Sequence, residues 1–343
     1  MTEGVTQMKI GIVGFGFMGR MHYRCWRQLP QAQVVAICDA NPEVLQGGTE
    51  GNIAGAADEV DFTGIAVYDD MAKMLAAEQL DAISLTVPSH LHAECSILAL
   101  KAGVNVLCEK PMALNTADCD RMIKASKAAG KILQIGHCVR FWPEYAAAKA
   151  IVAAGEYGRV LAATFQRLAA LPDWAVDNWF ADEQRSGGMA LDLHIHDTDF
   201  VQYLFGLPQA VSSFGATDAA GRLIHIVTNY LYDDEKVVTA EGGWSVTPPF
   251  GFEMSFNIML EAATLVYNCT REPTLRICTA DGQSLSPQLE KTDGYFAEIR
   301  HFAKMPANEE VEPVTTLEQS RDSVRIVQAE KQSIKQAGRV QLV

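Results

Sequence analysis

Short apolar runs alternate with stretches of helical spacing through the first part of the chain. Beyond residue 209 the apolar runs follow one another with only brief polar turns between them. In the first part, Met8–Val13, Gln33–Cys38, Ile65–Tyr68, Asp81–Val87, Asn105–Cys108 and Lys131–Ile135 have the length and flanking turn residues of strands. Between them, Arg20–Leu29 (stopped by Pro30), Asp69–Glu78, a stretch opening near His90 and ending at Ala102, and Thr116–Ala129 carry helical periodicity. The last begins at Asn115 or Thr116 and ends at Gly130. Regular strand–helix alternation predicts a parallel sheet.

In the second part the spacing predicts a helix over Trp142–Ala154 with proline in its first turn, and a strand over Arg159–Leu168. A long irregular connection, Ala169–Arg185, contains Trp174, Asn178 and Trp179. A helix follows from Ser186 to Phe205 and stops at Gly206-Leu207-Pro208. Strands are expected at Val211–Gly215, Leu223–Tyr232, Lys236–Trp244, Gly251–Leu260 and Thr264–Tyr267, then helices near Gly294–Lys304 and Thr316–Gln336. Consecutive strands imply an antiparallel sheet with Gly187–Phe205 packed on one face. The fold class is therefore α/β, with a nucleotide-binding domain over 1–136 and an α+β domain with a large, mainly antiparallel open sheet over 137–343. The apolar content of Met254–Leu265 suggests that the sheet's other face meets a partner, and a homo-oligomer is expected. Gly47–Ala57 is glycine-rich and receives no function.

Composition narrows the function. A length of 343 residues suits two domains, and 48% hydrophobic with 20% charged residues is ordinary for a globular chain. A net charge of -14 argues against nucleic acid, which demands a basic field. The eight cysteines are scattered without a C-x-x-C pair, which suits a reducing cytoplasm. The opening residues lack the features of a signal peptide, and no apolar run reaches membrane length.

Gly14-Phe15-Gly16-Phe17-Met18-Gly19 stands between a strand and a helix, as a dinucleotide-binding turn requires. Gly14 makes the turn, Gly16 admits a pyrophosphate, and Gly19 lets helix and strand pack closely. Asp39 ends the next strand, where a carboxylate takes ribose hydroxyls and repels a 2'-phosphate. No lysine or arginine lies between Ala40 and Gln46, so NAD is expected over NADP. Thr86 and Pro88 follow the fourth strand and are placed beside the nicotinamide. His90 and His92 are two apart and face different ways on a helix, so they read as helix-start polar residues rather than a metal pair.

Glu109-Lys110-Pro111 emerges at the carboxyl end of the fifth strand, the edge where such sheets bind ligands; an ordinary surface ion pair is the other reading. Arg140, at the expected domain junction, either reaches substrate or phosphate or forms a structural ion pair. Trp179 offers an aromatic face to a sugar ring or packs against a neighbour. Asp192, His196 and Asp199 fall on one helical face, where an imidazole and a carboxylate can move a proton; a histidine satisfied in the core is the alternative. His194 points away from them. The H-x-H-x-D-H pattern of zinc hydrolases fails at Thr198 and Asp199, so no metal is expected.

As a set, the segments GFGFMGRMH (Gly14–His22), TVPSHLHAE (Thr86–Glu94), CEKPMA (Cys108–Ala113), GHCVRF (Gly136–Phe141) and SGGMALDLHIHDTD (Ser186–Asp199) resemble the Gfo/Idh/MocA superfamily over nearly the whole chain. The resemblance implies a Rossmann domain followed by a substrate domain, and an NAD(P)-dependent dehydrogenase acting on a hydroxyl of a sugar, polyol or cyclitol. It implies that Lys110 bonds the reacting hydroxyl, His196 is the general base and Asp192 orients lysine or substrate. The cofactor set is Gly14, Phe15, Gly16, Phe17, Met18, Asp39, Thr86, Pro88, His92, Glu109 and Lys110. The substrate set is Lys110, Arg140, Trp179, Asp192 and His196. His194 departs from relatives that carry a small residue there. Two other functions fit the same likeness: cleavage of a glycoside by transient oxidation without net redox, and a regulator that only binds dinucleotide and sugar.

Overall fold

The computed structural model describes residues 7–46, 60–172, 179–180, 182–307 and 311–343. The glycine-rich segment 47–57, Trp174, Asn178 and residues 308–310 lie outside them. The chain forms two compact units: Met1–Cys138 with Asp293–Arg321, and Val139–Thr292 with Asp322–Val343.

In the first unit, β1 (Met8–Val13), β2 (Ala32–Cys38), β3 (Ala66–Tyr68), β4 (Ala82–Leu85), β5 (Asn105–Glu109) and β6 (Leu133–Gly136) form one sheet in the order β3-β2-β1-β4-β5-β6. Every neighbouring pair is parallel. Helices cover both faces of such a sheet, which is why β4 and β6 are buried along their whole length, Ser84 and Gln134 included. Strand order reverses between β1 and β4, so their carboxyl ends open a crevice there. The helix Thr116–Ala129 has its expected ends: Asn115 Oδ1 accepts from Asp118 N at 2.9 Å, and Gly130 closes it at φ 60°.

Residues 293–321 were expected in the second domain but pack on the first. Ile299, Phe302 and Ala303 of the helix Gly294–Lys304 share a core with Ile10, Ile12 and Trp26. Trp26 meets the Phe302 ring edge-on at 6.2 Å. Three apolar residues on one helical face need such a cover, and the sheet's helical layer supplies it.

In the second unit, β7 (Val160–Ala169), β8 (Ala210–Thr217), β9 (Leu223–Leu231), β10 (Val237–Gly243), β11 (Phe252–Leu260), β12 (Ala263–Asn268), β13 (Leu275–Thr279), β14 (Ser284–Leu285) and β15 (Gln341–Leu342) form one sheet. Its order is β14-β13-β12-β11-β7-β10-β9-β8-β15. Neighbours are antiparallel except β7 and β10, which run parallel. The last three strands were not expected. Tyr145, from the helix Pro143–Ala154, meets Phe200, Phe256 and Tyr267 edge-on at 4.7, 5.1 and 5.2 Å and centres the core.

Two expectations fail here. Met254, Phe256, Ile258 and Leu260 are buried on the helix side, so the apolar character of Met254–Leu265 is core packing and does not mark a partner surface. The helix expected over Ser186–Phe205 is not continuous: the short helix Glu183–Ser186 ends at Gly187, and a π turn over Ala190–His194 precedes the α-helix Ile195–Phe205. Among the described residues no helix is long and apolar enough to cross a membrane.

Candidate active site

The glycine turn is built as its spacing predicts. Gly14 has φ +85°, and a Cβ there would lie 2.7–2.8 Å from Thr86 O, Thr86 C and Val87 N. A Cβ on Gly19 would lie 2.1 Å from Gly14 O, so this helix can approach the turn only with glycine. A Cβ on Gly16 would meet nothing within 4 Å, which leaves a hollow over the start of the helix Phe17–Arg27. That helix start has no side-chain cap and no acidic residue in its first turn. Unbonded N–H groups beside an open hollow suit a pyrophosphate.

Asp39 is held by this turn: Oδ2 accepts from Phe15 N at 2.6 Å and Oδ1 from Asn41 N at 2.8 Å. A carboxylate has about four lone-pair sites, so two remain for ribose hydroxyls. The Phe15 ring is buried, while Phe17 and Met18 are half-buried at the helix start. Thr86 donates from Oγ1 to Gly14 O at 2.6 Å, which ties the turn to the end of β4, and Pro88 is half-buried beyond it. His90 is exposed.

Lys110 is partly exposed at the end of β5. Its neighbour Glu109 was expected to line the cofactor and instead turns inward. Glu109 is 6% exposed, and its Oε1 lies 3.0 Å from His22 Nε2 while Oε2 accepts from Lys110 N at 3.2 Å. Burial alone would raise its pKa; the His22 hydrogen bond and the Lys110 charge overcome this and hold it below the usual carboxylate value. His92 is likewise withdrawn from the cofactor set. It is 1% exposed, with Nδ1 2.7 Å from Pro111 O and Nε2 3.0 Å from Val87 O. Burial holds its pKa below the ordinary histidine value.

In the second unit the polar run Asp192–Asp199 separates into two groups. Asp197 is fully buried and accepts from Arg167 Nε at 2.8 Å and Nη2 at 3.2 Å. Asp199 accepts from Arg140 Nε and Nη2, both at 2.8 Å, and from Ser323 Oγ at 2.8 Å. Thr198 Oγ1 bonds Tyr230 OH and Glu330 Oε1 at 3.0 and 3.1 Å. His194 is buried against Gly242, with Nε2 3.6 Å from Glu330 Oε2. Asp192 and His196 alone in this run are half-buried rather than buried.

Asp199 therefore leaves the expected trio, and Arg140 leaves the substrate set. The Arg140 guanidinium is fully buried, grips Asp199 with two bonds and lies 4.4 Å over the Tyr203 ring. Trp179 stacks on Phe180 at 4.2 Å, and Phe180 meets Trp244 edge-on. A hollow lined by Leu171, Met189, Leu223, Ile224 and Trp244 lies at the start of this region and includes neither Asp192 nor His196.

Three partners were not expected from the sequence: His22 and Ser84, which bond each other at 3.0 Å, and Arg167. His22 carried a signal, as a polar residue on the inner face of an otherwise packed helix, and Ser84 another, as the one hydroxyl in the buried strand Ala82–Leu85. Arg167 had only its place inside a strand to mark it.

These features define a dinucleotide-binding unit joined to an α+β unit, and comparison identifies the family. Residues 8–137 match the NAD-binding Rossmann fold of the GFO/IDH/MocA oxidoreductase family and residues 145–266 match its C-terminal domain, so the chain belongs to that family. It is similar to the 2,7-anhydro-N-acetylneuraminate hydratase of Mediterraneibacter gnavus, at 33% identity over 61% of this chain. The chain spans about half of that relative, 52% of its length. It is also similar to the myo-inositol 2-dehydrogenase of Thermotoga maritima, at 25% identity over 98% of both chains. A solved levoglucosan dehydrogenase in complex with NADH and levoglucosan shares the fold at a TM-score of 0.82 and 21% identity, over 98% of this chain and 99% of that one.

Proposed function

We propose that the chain is an NAD-dependent dehydrogenase that oxidises a secondary hydroxyl of a sugar, polyol or cyclitol. The observation that carries this reading is the division of the Asp192–Asp199 run. Four of its polar side chains are locked in the core, while Asp192 and His196 stay at the half-buried surface. A helix held by buried pairs on one side offers a base and a carboxylate from the other, as a rigid catalytic element requires.

Gly16 and the uncapped helix start hold the pyrophosphate, and Asp39 takes the ribose hydroxyls. Bound NAD supplies the hydride acceptor. His196 takes the proton of the reacting hydroxyl, and Asp192 orients the lysine or the substrate. Lys110 stabilises the alkoxide as its charge grows.

Lys110→Ala and His196→Ala are each expected to lower turnover about 100-fold or more while NAD affinity holds. Because both serve one hydroxyl, the double variant should be little worse than the poorer single. Turnover is measured as NADH formation with myo-inositol, D-glucose, D-xylose and methyl β-D-glucoside. Near-normal turnover in either single variant overturns the assignment.

Likeness to a protein named as a hydratase supports a second reading, redox-assisted cleavage with no net NADH. Product release from methyl β-D-glucoside without NADH would decide for it. We further read the chain as a cytoplasmic homo-oligomer. Support for association comes from Phe214, Val227, Leu231 and Val237, which stay exposed on β8 to β10. A monomer mass by light scattering at micromolar concentration removes that part.

A further inference from the structure

Lys110 stands between two residues whose outer ends are gripped by histidines. On its amino side, Trp26 Nε1 donates to Ser84 Oγ at 2.8 Å, and the Ser84 hydroxyl lies 3.0 Å from His22 Nδ1. The Glu109 carboxylate can only accept, so a neutral His22 ring takes the Ser84 hydroxyl proton at Nδ1. The His22 proton then sits on Nε2 and is donated to Glu109 Oε1 at 3.0 Å. Glu109 returns its second oxygen to Lys110 N. Trp26, Ser84 and His22 are all fully buried, so water does not compete for these bonds.

On the carboxyl side, His92 faces two carbonyl oxygens and, as a neutral ring, can donate to one. The shorter contact, Nδ1 to Pro111 O at 2.7 Å, takes the proton, because burial disfavours the doubly protonated ring. One imidazole thus holds the residue before Lys110, and the other holds the residue after it.

We propose that His22 and His92 are positioning residues for Lys110, which together clamp the Glu109–Pro111 segment so that the ammonium group meets the substrate hydroxyl in one orientation. The proposal rests on the role given to Lys110 above. A misplacement of about 1 Å at such a group costs up to about 100-fold in rate, so a clamp has an effect large enough to measure. Neither histidine presents a ring nitrogen to substrate or cofactor in this arrangement; both act through the backbone and side chain of their neighbours.

The two clamps use opposite ring nitrogens, and this gives the proposal a specific test. A glutamine side chain puts its amide nitrogen near the place of histidine Nε2, and asparagine near that of Nδ1. His22→Gln and His92→Asn therefore keep the bonds to Glu109 and Pro111, whereas His22→Asn and His92→Gln lose them.

The NAD-loaded protein is reductively methylated with 13C-formaldehyde, and the dimethyl-Lys110 resonance is assigned by its loss in Lys110→Arg. The resonance is expected to move in His22→Asn and His92→Gln and to keep its wild-type position in the other two. In unmethylated protein, NADH formation with the best substrate of the panel should fall about tenfold in the first pair and stay within about threefold in the second, at unchanged NAD affinity. If Asn and Gln behave alike at either position, or if turnover and NAD affinity fall together, the clamp is overturned. Should the His22 variants not fold, Glu109→Gln takes their place: it gives one of the two donors an amide nitrogen, and an unmoved Lys110 resonance there overturns the proposal. Undiminished turnover in Lys110→Ala overturns the reading of Lys110 itself, whereas the crossed resonance pattern does not depend on turnover.

Discussion

Alanine at Gly16 should separate cofactor binding from stability. Gly16 has φ -70° and an empty hollow where its Cβ would stand, so the substitution introduces no clash. Loss of backbone freedom in the unfolded chain favours alanine by about 0.4–1 kcal/mol. Alanine at a helix N-cap is poorer than glycine by a similar amount, about 0.5–1 kcal/mol. The two terms cancel, and the unliganded protein should keep its urea midpoint. Gly19→Ala is the control: its Cβ would stand 2.1 Å from Gly14 O. Overpacking of that kind costs about 1–3 kcal/mol.

With NAD at a hundred times its Kd, the wild-type protein gains about 2.7 kcal/mol by linkage, while a variant that binds a hundredfold more weakly gains about 0.4 kcal/mol. Urea titrations with and without NAD therefore read both quantities for each protein. If Gly16→Ala gains as much from NAD as wild type, or loses as much stability as Gly19→Ala, the hollow over Gly16 is not where the pyrophosphate sits.

Asp199→Asn removes the charge that Arg140 faces in the core, and stability measured in guanidinium should fall by about 3–5 kcal/mol, while Arg140→Met with Asp199→Leu should restore most of it. An unchanged midpoint in the single variant would show that the pair does not hold the helix. Glu109 has a depressed pKa in the folded chain, so its contribution is fully present above its usual carboxylate value and is lost as pH falls below that value through the folded one. The stability gap between wild type and Glu109→Gln should accordingly narrow as urea titrations move from pH 7 to below pH 4.5. A gap that is constant with pH would mean that the charge on Glu109 is not what His22 and Lys110 hold.

The first unit was legible because its signals are local. A strand that ends in a glycine turn, an asparagine before a helix and a glycine after it each act within a few residues, and Met8–Val13 and Thr116–Ala129 appear where their patterns put them. The second unit resisted because its rules are long-range. No local pattern states that β7 pairs with β10 in parallel, or that Gln341–Leu342 completes the edge beside β8. The candidate site was legible as residue types and less so as directions. The π turn at Ala190–His194 upsets a strict 3.6-residue count, and only Arg140 and Arg167 reveal that Asp199 and Asp197 point into the core. His92 and Glu109 were found as part of a motif, but their inward orientation depends on Pro111 and His22.

The central strand of the nine-stranded sheet also constrains how the chain is made. β7 ends at Ala169, and both of its partners, β10 and β11, are translated only after it, the second of them finishing at Leu260. At typical rates of synthesis, roughly ninety residues take about 5–20 s to emerge. Both edges of β7 lack a partner strand until Gly243 has emerged, and one edge lacks it until Leu260, with Ala163, Phe165 and Leu168 outside any finished core. A chaperone that shields short apolar strands should therefore engage ribosome-bound chains most strongly after residue 169 has emerged and release them once residue 260 is out.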